Sequence, residues 1–281
     1  MEINKRHTLF GERAERVTTS EANAVYNELF DLLYEDFSHM RMTKSLPCKT
    51  DHGDIDIVYC MVNKFDPETR LRVQLGESFL DFHKNGEVSS VLYHSKVVGK
   101  NVHVDFILAN EKNYMTKLQY FSYNDFSGIF GMLAKKYNFK YGSEGFFKRY
   151  RDSRGNWHDV FVSRDLTIGM EMLGYDPRKW EKLETYDDIV LFMLSSPMFD
   201  YRLFVHDTLN QSDKKSYKRP VIKYVVDKLR ESGKTATITD ENHYWVNTTA
   251  YEFGLVEIGL IEDEILKRKQ DRLARLQAGL D

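Results

Sequence analysis

The sequence predicts an α+β chain in which a mixed β-sheet flanked by helices comes first and helices dominate the end. Three observations carry this. A capping box at Thr18 and Glu21 opens an apolar run with helical spacing. Between 53 and 108 the pattern alternates with a period of two, broken by glycine turns. From 124 the period returns to that of a helix.

In order along the chain, "VTTSEANAVYNELFDLLYEDF" (17–37) reads as the first helix, with Val25, Leu29, Leu32 and Leu33 on its apolar stripe. Residues 53–61 read as a strand, as does "LRVQL" (71–75). "SFLDFHKNGEVSSVLYH" reads as a hairpin turning at Asn85-Gly86. A second hairpin turns at Gly99-Lys100 and feeds a strand over 102–108. Phe126, Ile129, Phe130, Leu133 and Tyr137 then mark an amphipathic helix with Asn124 as its cap, and their aromatic stripe is expected in the core. "TYDDIVLFML" starts a helix at the Thr185 cap, and "PVIKYVVDKLRESG" runs from Pro220 to a stop at Gly233. The last stretch, acidic first and basic last, is expected to be a docked surface helix. The expected division is 1–115, 116–200 and a helical 201–281.

The 281 residues carry a formal net charge of −3, which excludes a global basic footprint of the kind non-specific DNA binders use. Cys48 and Cys60 match no metal-site or redox spacing, so both thiols are expected free in a reducing compartment. No apolar run reaches signal-peptide or membrane-spanning length, and a cytoplasmic protein with no membrane partner is expected.

The chemistry concentrates in "GDIDIV" (53–58) and "VHVDFIL" (102–108). In an extended strand Asp54 and Asp56 share one face while Ile55 and Ile57 take the other. His103, Asp105 and Ile107 repeat that arrangement. Were the two strands neighbours, three carboxylates would converge on one sheet surface, an oxygen-rich set suited to Mg²⁺ and to displacement at phosphorus. A lone Asp-x-Asp is also common at solvated edges and in metal-dependent glycosyltransferases that hold a diphosphate.

"GDIDIV" followed by "VHVDFIL" resembles the palm of the DNA polymerase β superfamily of nucleotidyltransferases, and specifically its X family. The likeness continues through "LQYFSYNDFSGIFGMLAKKYNFKYGSEGFF" and "LETYDDIVLFML", covering 14–200. It implies a palm over 1–115, a small thumb-like α/β piece over 116–200, two Mg²⁺ ions with Mn²⁺ as a substitute, and a nucleoside triphosphate substrate. It implies transfer of a nucleoside monophosphate with release of pyrophosphate, onto the 3′ end of DNA or RNA. By position, Asp54, Asp56 and Asp105 would be catalytic and hold the metals. Gly53 would let the backbone approach the triphosphate, Arg16 would contact phosphate, and Tyr120 and Phe121 would pack against the nucleotide sugar. His103 would lie near the primer terminus, with Lys148, Arg149 and Arg151 toward nucleic acid.

The chain departs from the family where a Gly-Ser turn is usual. Thr43, Lys44 and Ser45 stand there instead, Pro47 takes the place of an arginine, and Lys44 and Lys49 are the candidate replacements for binding triphosphate. Tyr123 replaces a glycine beside the sugar. No segment resembles the family's lyase or helix-hairpin-helix modules. The same superfamily also transfers nucleotides to proteins, tRNA or small molecules, and a palm that only binds its ligand is the third alternative. Two further features read as structural: "KKSYKRP" (214–220) as a solvated helix lead-in and "WHDV" (157–160) as strand-edge or turn.

Overall fold

The computed structural model describes residues 9–62, 66–123, 126–151, 154–205 and 220–237. The Asn124 cap, most of "KKSYKRP" and the last stretch read as a helix lie outside the described residues.

The chain runs β1 (Val17–Thr18), α1 (Thr19–Leu33), β2 (Phe37–Met42), β3 (Asp51–His52), β4 (Ile55–Met61), α2 (Pro67–Leu75), β5 (Phe79–Asn85), β6 (Val88–Ser95) and β7 (Lys100–Ala109). It continues through α3 (Tyr114–Phe121), α4 (Phe126–Lys136), β8 (Phe139–Gly142), β9 (Gly145–Arg151) and β10 (Trp157–Ser163). Helices α5 (Leu166–Met172), α6 (Pro177–Trp180), α7 (Tyr186–Ser195) and α8 (Pro220–Glu231) complete it. The fold is α+β, as the sequence predicts.

The main sheet has the order β2-β4-β7-β6-β5, and β4–β7 is its parallel pair. One face packs on α1 and α2: Val25, Leu29, Leu33, Leu71 and Leu75 are buried with Ile55, Ile57, Val104 and Phe106. Leu32, expected on the apolar stripe of α1, is instead exposed. The other face is divided along its length. At one end Val58, Cys60, Ile107 and Ala109 are buried with Tyr114 of α3; at the other lie the carboxylates.

A second core gathers α4–α8 around the three-stranded sheet β10-β9-β8. Phe126, Phe130 and Tyr137 are buried in it, as expected from the stripe. Lys117, itself buried, ties α3 to both sheets through Glu87, the Leu108 carbonyl and Glu144.

The caps explain most boundaries. Thr18 and Glu21 form a reciprocal capping box, and Thr185 does the same with Asp188. Gly86, Gly99 and Gly233 take positive φ at the turns and stop assigned to them. "LRVQL" corrects the expectation: it lies in helix α2, not a strand. Asp66 accepts from the Thr69 N–H, Pro67 occupies the first turn, and Arg72 reaches back to Glu68. Replacing Asp66 by Ala should lower stability, read as a lower midpoint in urea denaturation with an unchanged slope.

Candidate functional site

Residues 54–56 and 103–105 meet through the parallel register of β4 and β7, which puts Asp56 opposite Asp105 and Ile55 opposite Val104. Asp54 stands one residue before β4 and is exposed; Asp56 and Asp105 are half-buried. Their apolar neighbours leave no choice of face, because slipping one residue would turn the carboxylates into the α1–α2 core.

Asp105 is already engaged. Its Oδ1 accepts from Ser90 Oγ at 2.5 Å and from His103 Nε2 at 2.9 Å. Ser90 faces Asp105 across the β6–β7 ladder. Burial works against charge on His103. The hydrogen bond to Asp105 and the charges of Asp105 and Asp54 outweigh it and raise the imidazole above its ordinary value. His103, expected near a primer terminus, is buried and directed at Asp105.

Asp54 and Asp56 also form part of the wall of a cleft of about 550 Å³. Lys44, Ser45, Lys49, His52, Tyr123 and residues 181–184 line it as well. Burial and the charge of Lys49 push His52 down, against the pull of Asp51 and Asp54. Segment 43–49 has no glycine and is held from both sides. The Thr43 N–H donates to the Asp56 carbonyl, and the Lys44 N–H donates to Ser122 Oγ at 3.1 Å. The Lys44 carbonyl accepts from the Tyr123 N–H at 2.6 Å, and the Cys48 N–H donates to the Glu184 carbonyl. Leu46 is buried within the second core. Tyr123 adopts φ +59°, strained for a residue with a side chain, while its hydroxyl donates to the Glu181 carbonyl.

The remaining expected residues divide. Arg16 lies against Gly53, where a Cβ would come within 2.8 Å of its Nη1, and its Nε pairs with Asp51 at 2.5 Å. Tyr120 packs on Tyr141, and Phe121 packs on the apolar cluster under α3. Both therefore serve the cores, and the aromatic ring on the cleft wall is that of Tyr123. Arg149 and Arg151 are outward on β9; Lys148 is not. It is buried, donating to the Tyr137 carbonyl at 2.6 Å over the Phe139 ring. This corrects its assignment toward nucleic acid: strand alternation turns it inward between two outward arginines. Both cysteines are free, and among the described residues no helix is long and apolar enough to cross a membrane.

Sequence reasoning missed Ser90, His52 and the 181–184 wall. His52 carried a signal, since it precedes Asp54 in the same alternation. Ser90 carried none, because only strand pairing brings it to Asp105.

The donor chemistry and the register suit a hard cation such as Mg²⁺. The side-chain directions do not bring the set together. Among the described residues no three His, Cys, Asp or Glu groups converge closely enough to hold a metal ion, and the Asp105 carboxylate is turned to Ser90 and His103.

Burial depresses Lys148 to about 7, far below an ordinary lysine of about 10.4. The folded state therefore favours the neutral amine. Stability is highest above the unfolded pKa, falls as pH drops through that interval, and levels off below the folded value. Lys148→Met should remove this dependence, so urea midpoints of the two proteins should differ in slope between about pH 7 and 10.

No protein-family model matches this chain, and no curated protein matches it.

Proposed function

We propose that the chain is a nucleotidyltransferase that moves a nucleoside monophosphate from an NTP or dNTP to a hydroxyl, most readily the 3′ end of a nucleic acid. The observation that carries this reading is the side-by-side placement of Asp56 and Asp105 on parallel strands, with Asp54 on the adjoining cleft wall. Like charges so placed cost free energy unless a cation offsets them. The resemblance of "GDIDIV" and "VHVDFIL" to the DNA polymerase β superfamily supports it further.

In this reading the acceptor oxygen bonds to the α-phosphorus as the bond to the β-phosphate bridging oxygen breaks, and pyrophosphate leaves. The acceptor's proton passes toward the Asp105 carboxylate. Lys44 and Lys49, on the wall beside Asp54, neutralise the departing phosphate oxygens. Segment 43–49 presents both lysines on a backbone fixed by Ser122, Tyr123 and Glu184. The resemblance implies two Mg²⁺ ions, with Mn²⁺ as a substitute, at Asp54, Asp56 and Asp105, but the three carboxylates as they stand do not converge on a metal ion.

The test is incubation with each labelled NTP and dNTP, Mg²⁺ or Mn²⁺, and a primer-template, a single strand or tRNA. Label should move to a nucleic-acid 3′ end. Asp105→Ala should cut the rate by about 10²–10³-fold, and Lys44→Ala should raise KM more than it lowers kcat. Extension unchanged in Asp105→Ala would overturn the mechanism. Label on the protein itself or on a small acceptor would assign the transfer to a different acceptor. An absence of any nucleotide-induced thermal shift would leave a non-catalytic palm.

A further inference from the structure

The outer face of the sheet β10-β9-β8 takes no part in the chemistry proposed above, and only its two arginines were expected to meet a ligand. Phe146 and Lys148 point into the second core, so Phe147, Arg149 and Arg151 stand on the opposite face. Register sets Trp157 opposite Arg151, Asp159 opposite Arg149, and Phe161 and Lys140 on either side of Phe147. Trp157 is 51% exposed and Phe161 40%.

Each outward ring carries a cation. Lys140 Nζ is 5.2 Å from the Phe147 centroid and Arg164 Cζ is 5.0 Å from that of Phe161. Arg149 and Arg151 both lie over Trp157, at 5.1 and 5.9 Å. The two guanidiniums are held in place as well: Arg149 Nε donates to Asp159 Oδ1 and Arg151 Nε to the Gly155 carbonyl. Asp159 is the one carboxylate in these three strands, so four cations gather on this face of a chain whose net charge is −3. Stacked arginines already cover part of the indole, which would suffice for a merely solvated surface. Half of Trp157 and much of Phe161 nevertheless stay open to water beside a surplus of positive charge, which suits a polyanion that also presents flat rings.

We propose that this face binds single-stranded nucleic acid, with bases stacking on Trp157 and Phe161 and phosphates pairing with Lys140, Arg149, Arg151 and Arg164. A duplex hides its base faces, and an acidic peptide brings charge with few rings, so the single strand fits the mosaic best. The inference is independent of the aspartates. Transferase activity without strand binding, or strand binding without transferase activity, would separate the two proposals.

The experiment is fluorescence anisotropy with the full chain, no nucleotide added, and labelled oligothymidylate or oligouridylate of about 20 residues, longer than the roughly 4–16 nucleotides one domain covers. A duplex of equal length and heparin serve as comparisons. Single strands should bind more tightly than the duplex, with affinity falling as salt rises. Trp157→Ala should weaken binding about tenfold, Trp157→Phe should retain most of it, and Arg151→Gln should weaken it and flatten the salt dependence. Thermal melting checks that each variant is folded. The DNA and RNA arms tell which strand is preferred. Equal or tighter duplex binding, heparin competition with no sensitivity to the Trp157 ring, or no binding at all would overturn the proposal.

Discussion

Two carboxylates on neighbouring parallel strands are the constraint around which the first half of this chain is arranged. Strands in a sheet lie about 4.8 Å apart. At an effective dielectric constant of 20, two unit charges held at that spacing would repel by about 3.5 kcal/mol. The register cannot move to relieve this, because the same strands bury Ile55, Ile57, Val104 and Phe106 on their opposite face. The apolar core thus imposes the repulsion, and the polar side must answer it. Ser90 and His103 answer for Asp105, and the lysines Lys44 and Lys49 line the cleft with Asp54 and Asp56.

The cations of the cleft depend in turn on the second core. Segment 43–49 is fixed through Leu46, buried among residues of α4–α8, through N–H groups of Lys44 and Cys48 donating to Ser122 and Glu184, and through the Lys44 carbonyl accepting from the Tyr123 N–H. Tyr123 accepts a left-handed backbone, worth of order 1–3 kcal/mol of strain, at the point where its N–H reaches the Lys44 carbonyl. A glycine there would relieve the strain but would take away the ring on the cleft wall and its bond to the Glu181 carbonyl. The segment that carries Lys44 and Lys49 is therefore positioned by elements far away in sequence.

That division explains what was legible. Local signals gave the α1 and α7 caps, both hairpins and the two-faced strands carrying the aspartates, since each depends on residues a few positions apart. "LRVQL" misled because its alternation imitates a strand, whereas the deciding signal, Asp66-Pro67, lies upstream. Tyr120 and Phe121, which the resemblance assigns to the nucleotide sugar, are half-buried, with Tyr120 on Tyr141 and Phe121 on the α3 cluster. Ser90 and residues 181–184 join the site only through tertiary pairing, which one sequence does not display.

The run "FFKRYR" shows how period resolves charge. Counted along the chain it is a block of three cations between aromatics. Folded as β9, it divides: Lys148 goes inward, where desolvation favours its neutral form, and Arg149 and Arg151 go outward onto Trp157. An arginine pair keeps its charge at any ordinary pH, but a buried lysine does not. The alternation thus assigns the titratable cation to the core and the permanent ones to the surface, and the outer face keeps a positive charge that neither pH nor the chain's net charge of −3 removes.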